Sequence, residues 1–165
     1  MSHVELDIET ATGGKRVELP DGYEYANAAA TGMAELRALD ESIHGPFESG
    51  LDRASWPTVG RDIYGNFHIH VGVRNPEDDE LVGIGLLSLG WQQYSGKLTH
   101  LMIRNQHRHR GLGRAILLER VRIADELGVS QLRTELGSIN TLAPLYRDLG
   151  FIESDRAEIV RKIPL

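Results

Sequence analysis

Cysteine is missing from this 165-residue chain. Its absence excludes a disulfide scaffold, a thiolate-held zinc and a thiol nucleophile. Aromatic residues are scarce, at 6%, so a nucleic-acid surface of basic residues interleaved with stacking rings has little to be built from. Long apolar runs are lacking too. None approaches the roughly 20 residues that span a bilayer, and the first ten residues, MSHVELDIET, do not show the basic-then-apolar order of a secretory signal. The expectation is a soluble cytoplasmic protein with neither a membrane nor a nucleic acid as partner. With no internal repeat or low-complexity tract, residues 1–165 are expected to form a single domain, which at this length buries about two-thirds of the surface its unfolded chain would expose.

Charge is present but uneven. The net charge of -6 divides into 7 basic and 16 acidic side chains over residues 1–100, a net of -9, and 11 basic and 8 acidic over residues 101–165, a net of +3. Residues 104–122 alone hold six Arg against the single Glu119. Such a cluster is either a solvated helix face or a site for an anion.

The apolar pattern orders the chain. A short strand is predicted at residues 24–26 and a helix over 31–43, where Leu36, Leu39 and Ile43 share one face. Residues 67–73 alternate with period two, residues 81–89 are nearly continuous apolar, and residues 98–103 form a third strand candidate. Asn75 to Glu80, NPEDDE, reads as the hairpin connection between the first two. From Gly113 the period is helical, with Leu117, Leu118, Val121 and Ala124 as the apolar stripe and Arg114, Arg120, Arg122 and Glu126 opposite. A strand at 131–136, a helix at 141–149 and a last strand at 158–163 complete a mixed α/β domain.

Chemistry concentrates in LTHLMIRNQHRHRGLGRAILL, residues 98–118. A strand runs into a basic turn and then into a helix opened by Gly111, Leu112 and Gly113, with Arg108, Arg110 and Arg114 around them. Residues without Cβ let backbone approach a phosphate, and the free N–H groups of a first helical turn point at it. The helix end contributes about 0.3–1 kcal/mol when exposed, so the Arg side chains and several N–H groups together must supply the affinity. A Lys-bearing P-loop is excluded, because no Lys stands between Lys97 and Lys162, and the third Gly of a dinucleotide fingerprint is replaced by Ile116.

Arg108-His109-Arg110-Gly111-Leu112-Gly113 resembles the Gln/Arg-x-x-Gly-x-Gly/Ala pyrophosphate motif of GNAT-type N-acetyltransferases, and residues 140–151, NTLAPLYRDLGF, resemble that family's second signature. The match is good over residues 80–165. The resemblance implies a central twisted mixed sheet of about six to seven strands with about four flanking helices, residues 1–80 forming the acceptor side and 81–165 the acetyl-CoA side. It implies acetyl-CoA as co-substrate, no metal, and acetyl transfer to a primary amine by direct attack in a ternary complex. Carried over residue by residue, Leu101, Met102 and Ile103 would pair with the pantetheine arm, and backbone N–H groups of His109, Arg110, Gly111, Leu112, Gly113 and Arg114 would hold the pyrophosphate beside Arg108. Asn140 would bond the pantetheine or acetyl end, or else cap a helix, and Tyr146 would protonate the leaving thiolate, or else be a core aromatic. A homodimer is a common state in such a family.

Two departures stand out. Asn105 replaces a frequent Pro, and residues 81–89 carry no carboxylate where some relatives take their general base. Candidates for that base are His100, His68, His70, Asp40 and Glu41; His68 and His70, at i, i+2, also read as a polar sheet face rather than a metal pair. The acceptor pocket is expected from residues 40–51 and 56–67, and the acidic excess there suits a cationic amine, as a small molecule or a peptide. The alternative to an enzyme is a noncatalytic acyl-CoA-binding sensor.

Overall fold

In chain order the elements are β1 (Glu24–Tyr25), α1 (Met33–His44), β2 (Gly60–Arg61), β3 (Phe67–Asn75), β4 (Glu80–Leu89), β5 (Ser95–Ile103), a 3₁₀ turn (Asn105–His107), α2 (Leu112–Glu126), β6 (Gln131–Glu135), α3 (Ala143–Asp148), β7 (Ile152–Glu153) and β8 (Glu158–Lys162). The structure, a computed structural model, describes residues 16–26, 33–44, 60–61, 67–90, 95–135, 143–153 and 158–162. All eight strands join one sheet in the order β1-β3-β4-β5-β6-β8-β7, with β2 also paired to β3. Every pairing is antiparallel except β5 with β6, because the β5-α2-β6 connection crosses over and returns in the same direction. The fold is the mixed α+β domain expected. The described residues add two-residue strands at β2 and β7, too short for a periodic signal, and contain three α-helices beside the 3₁₀ turn.

Alternation puts the two faces of the sheet to different uses. Ile69, Val71 and Val73 of β3 point into the larger core, with Leu112, Ile116, Leu117, Val121, Ile123 and Ala124 of α2. Leu36 and Leu39 of α1 bury against Leu81, Ile84, Leu86 and Met102 on the other face, each such side chain contributing about 1.5–3 kcal/mol by leaving water. A paired contact fixes α1 on the sheet: Arg74 Nη1 and Nη2 each donate to Glu35, both at 2.7 Å. The β3-β4 connection is a hairpin as expected, closed by the Asn75 and Asp78 side chains accepting from the Glu77 and Glu80 N–H groups. Helices α2 and α3 end alike. The Val129 N–H donates to Ala124 O at 2.9 Å and the Phe151 N–H to Tyr146 O at 3.0 Å, which satisfies end carbonyls and turns the chain back into the sheet.

Candidate functional site

Strands β5 and β6 part after three pairs, Ser95↔Gln131, Gly96↔Leu132 and Lys97↔Arg133. From residue 98 onward β5 is paired on its β4 side, so its other edge presents backbone groups to the gap between the diverging strands, the condition for accepting an extended guest as an added strand. The edge is also bulged. Leu86↔Thr99 and Ile84↔Met102 leave His100 and Leu101 together across from Gly85, which turns local peptide groups out of the ladder. Leu101 and Ile103 are half-buried toward the α2 core, and Met102 is buried toward α1.

Past Ile103 the chain makes its 3₁₀ turn and enters α2 through Arg108, His109, Arg110 and Gly111. The turn is held by the His107 N–H on Arg104 O at 2.9 Å and the Arg108 N–H on Asn105 O at 3.3 Å. His109, at φ 62, and Gly111, at φ 86, are both left-handed with Arg110 between them on the ordinary side. That alternation aims successive N–H groups toward a common concavity, and the N–H groups of Leu112, Gly113 and Arg114 follow with no carbonyl four residues back inside the helix. Arg108, His109, Arg110 and Arg114 are exposed, whereas the Leu112 side chain is buried and anchors the loop to the core. The loop is positive in charge and rich in backbone donors, features that suit an anion.

The first residues of the described chain border this loop, which the sequence reading did not foresee. The Tyr23 hydroxyl accepts from Arg110 Nη1 at 3.0 Å and lies 2.7 Å from His107 Nδ1, and a Cβ on Gly111 would lie 3.7 Å from Pro20.

Tyr146, on α3, is buried in the larger core with its ring edge-on to Phe151 at 5.1 Å. Burial raises its phenol pKa, while the charge of Arg120 and a hydrogen bond with the Thr134 side chain work in the opposite sense. The side chain is thus both packed and polar-linked. Asn140 lies outside the described residues, as does the side chain of His100.

Three readings need correction. Arg120, assigned to the solvated face of α2, is 1% exposed. It stands at i+4 from Ile116 and three before Ile123, both buried, so the helical period places it inward. Arg122 is half-buried rather than free, because it pairs with the fully buried Glu119, which also takes Arg16 Nε at 2.8 Å and the Val17 N–H at 3.1 Å. Strand β4 begins one residue earlier than expected, at Glu80, so it does carry a carboxylate; that group is tied to Arg104 Nε at 2.7 Å. Of the base candidates, His68, His70 and Asp40 are buried and Glu41 is exposed. His68 lies opposite Ser88, its Nδ1 2.8 Å from the serine hydroxyl, and His70 lies opposite Leu86, which packs with α1. The two histidines therefore share the face of the sheet that carries Leu86, and both are buried there.

Among the described residues no group of three or more metal-ligating side chains occurs, and no helix is long and apolar enough to cross a membrane.

A family model described as an acetyltransferase (GNAT) domain matches residues 65–165, more than half of the chain, and the protein belongs to the GNAT acetyltransferase family. The fold and the family are those of acyl-CoA-dependent acyltransferases. Solved structures agree on the fold. The ribosomal-protein-S18-alanine N-acetyltransferase from Escherichia coli is similar at 16% identity and a TM-score of 0.62, over 87% of this chain and 94% of that one. A putative acyl-CoA N-acyltransferase from Klebsiella pneumoniae subsp. pneumoniae MGH 78578 is similar at 24% identity and a TM-score of 0.55, over 87% and 97%. With nourseothricin acetyltransferase the overlap is 59% of this chain and 66% of that one, just under two-thirds of its length, at 19% identity and a TM-score of 0.46. No curated protein matches the sequence.

Proposed function

We propose that the chain is an acetyl-CoA-dependent N-acetyltransferase that acts on a primary amine by direct transfer in a ternary complex. The observation that carries this reading is the continuity of two half-sites: the β5 edge beyond Lys97, which among the described residues has no strand partner on the β6 side, leads directly into the left-handed, N–H-rich loop at His109 and Gly111. An extended thiol arm ending in a pyrophosphate matches that order of a strand-like groove followed by an anion cradle.

In this reading the pantetheine lies along Leu101, Met102 and Ile103, and the pyrophosphate sits on the N–H groups from His109 to Arg114 with Arg108, Arg110 and Arg114 around it. Backbone N–H groups at the β5 bulge polarise the thioester carbonyl. The amine nitrogen attacks the carbonyl carbon, the C–N bond forms, and the tetrahedral oxyanion collapses with loss of the C–S bond. Tyr146 gives its proton to the departing thiolate, and the amine loses its proton to a base on the α1 side of the sheet, where His68, His70 and Asp40 are buried. The products are an N-acetylated amine and free CoA. A chain with no Cys supports direct transfer over a thioester on the enzyme. Asn140, at the start of the second signature, is assigned to the pantetheine or acetyl end. Residues 1–80 supply the acceptor side, and their acidic balance suits a cationic amine.

The test is release of free thiol from acetyl-CoA over a panel of polyamines, aminoglycosides, amino acids and N-terminal peptides. Release that depends on one acceptor class supports the enzyme. Tight acetyl-CoA binding with no release for any acceptor would replace it with an acyl-CoA sensor.

A further inference from the structure

Arg120 is the anomaly of the molecule's interior. It is 1% exposed, and Nη1 donates to Leu86 O at 3.0 Å and Thr99 O at 3.3 Å while Nε reaches Ile116 O at 3.4 Å. Other arginines that leave water here take a carboxylate with them: Arg16 and Arg122 share Glu119, Arg74 holds Glu35 and Arg104 holds Glu80. Among the described residues no carboxylate faces Arg120. Burying a guanidinium against carbonyls alone is unfavourable relative to an apolar side chain of similar size, and α2 already has Ile116, Leu117, Val121 and Ile123 to pack with. Packing therefore does not account for a cation at this position.

The sheet is shaped to receive it. A Cβ at Gly85 would lie 2.8 Å from both Cζ and Nε of Arg120 and 2.7 Å from Ile116 Cγ2, so strand β4 leaves a side chain out where the guanidinium enters. The two β-strand carbonyls it binds belong to register partners, Leu86↔Thr99, the last regular pair before the β5 bulge. Thr99 O is turned toward α2 to accept. In a trans peptide the His100 N–H of the same unit points the other way, and charge on a carbonyl oxygen strengthens the N–H of its peptide as a donor.

We propose that Arg120 is a positioning residue of the acyl-transfer centre: its guanidinium, seated under Gly85, ties β4 to β5 at the bulge and fixes a positive charge behind the peptide that faces the thioester. The inference rests on the acetyltransferase reading above. It acts through other groups in two ways. The brace holds the His100 N–H in the orientation an oxyanion needs, and the charge favours proton donation by Tyr146. The groups acting on the Tyr146 phenol are Arg120 from α2 and the Thr134 hydroxyl from β6, both opposing the upward pull of burial.

The experiment compares the wild type with Arg120→Lys, Arg120→Met and Gly85→Ala, using acetyl-CoA and an acceptor that gives thiol release. In Arg120→Met, kcat is expected to fall on the order of 10–100-fold with the acetyl-CoA Kd nearly unchanged, since the anion loop is untouched. Arg120→Lys keeps a charge that reaches one carbonyl and is expected to lie between the two. Gly85→Ala leaves the guanidinium in the chain but pushes it aside, and is expected to lower kcat while the protein remains folded, which keeps the idea testable if Arg120→Met does not fold. Separately from turnover, titration of the Tyr146 ring carbon by NMR is expected to begin at higher pH in Arg120→Met, or in Arg120→Lys at pH values where the lysine is neutral, than in the wild type. Unchanged kcat in folded Lys and Ala variants, or equal loss of kcat and acetyl-CoA affinity in all three, would overturn the proposal. If the wild type releases no thiol with any acceptor, the acetyltransferase reading has failed, and the Tyr146 titration then decides the coupling alone, an unshifted phenol overturning it.

Discussion

Tyr146 has two ends that obey different physics. Its ring is held by Phe151 and the core, and its hydroxyl is held by Thr134. Tyr146→Phe keeps the first and removes the second, so stability is expected to drop by only about 1 kcal/mol, the net worth of a typical hydrogen bond. As the proton donor it should matter far more to rate: kcat is expected to fall by about 10²–10⁴-fold with little change in acetyl-CoA KM. An unchanged kcat would leave the ring a packing element alone. The sign of the pH effect follows from the same burial. Desolvation holds the phenol pKa above its ordinary value, so a donor at this position stays protonated through neutral pH and the limb it adds to the kcat profile lies on the alkaline side, above about pH 10; Tyr146→Phe should lack that limb. The motif made this residue legible in the sequence, whereas Arg120 was not. Charge on a helix is ordinarily solvent-facing, and the reading followed that rule although Ile116, Arg120 and Ile123 stood at i, i+4, i+7. For His68 and His70 alternation shows that they share a face, but only the folded structure shows that both are buried there.

Elements explain what single residues cannot. The shape of loop residues 108–111 comes from left-handed backbone at His109 and at Gly111, which at φ 86 is the helix entry. Gly111→Ala places a Cβ in that region at a cost of about 1–2 kcal/mol, and the loop is expected to relax away from its anion-binding shape. Acetyl-CoA KM should rise while kcat at saturation stays close to the wild-type value, a split that isothermal titration with CoA checks independently. The segment at residues 16–26 is docked by Glu119, which receives Arg16, Arg122 and the Val17 N–H. Burial pushes this carboxyl's pKa up, but the hydrogen bonds from Arg122, Arg16 and Val17 outweigh it, and the net shift is down. A depressed carboxyl stabilises the fold above its unfolded pKa of about 4.3 and loses that contribution as pH falls through the folded value. Thermal melts should therefore show an acid limb below about pH 4 that Glu119→Gln flattens, and Glu119→Ala should cost about 3–5 kcal/mol by leaving buried partners uncompensated. Strand β3 and helices α1 and α2 are readable from periodicity because each spans at least two full repeats of its pattern, and β4 from its nearly continuous apolar run. A two-residue strand such as β7 has no period to read and exists only because β8 pairs with it. The docking of residues 16–26 was equally invisible, since Arg16 and Glu119 are a hundred residues apart and no local pattern joins them.

At the scale of the whole molecule, charge divides along the sequence. The Arg-rich residues 104–122 include the anion loop and the first turns of α2, and the net of -9 lies in residues 1–100, which carry α1 and strands β1 to β4 and lead into β5. In the proposed reaction an acetyl donor with several phosphates and an acceptor with a free amine are opposite in sign, so the basic loop suits the one and acidic side chains suit the other. Long-range fields raise encounter rates, and salt removes them: the screening length falls from about 10 Å at 0.1 M to about 3 Å at 1 M. If the acidic half recruits the amine, kcat/KM for a cationic acceptor should fall on the order of 10-fold between about 0.05 and 0.5 M salt, while a neutral acceptor of similar size should be little affected at saturating acetyl-CoA. Saturation with donor matters, because the basic loop predicts a salt dependence of its own in acetyl-CoA KM. A slope that is equal for charged and neutral acceptors would place the acidic side chains on ordinary surface and return acceptor choice to the shape of the acceptor side. A slope confined to cations would leave the side chains of α1 itself, with Glu35 already committed to Arg74, as the first place to remove charge: Glu41 is exposed on that helix, and Glu41→Gln should then reduce the cation preference without changing kcat.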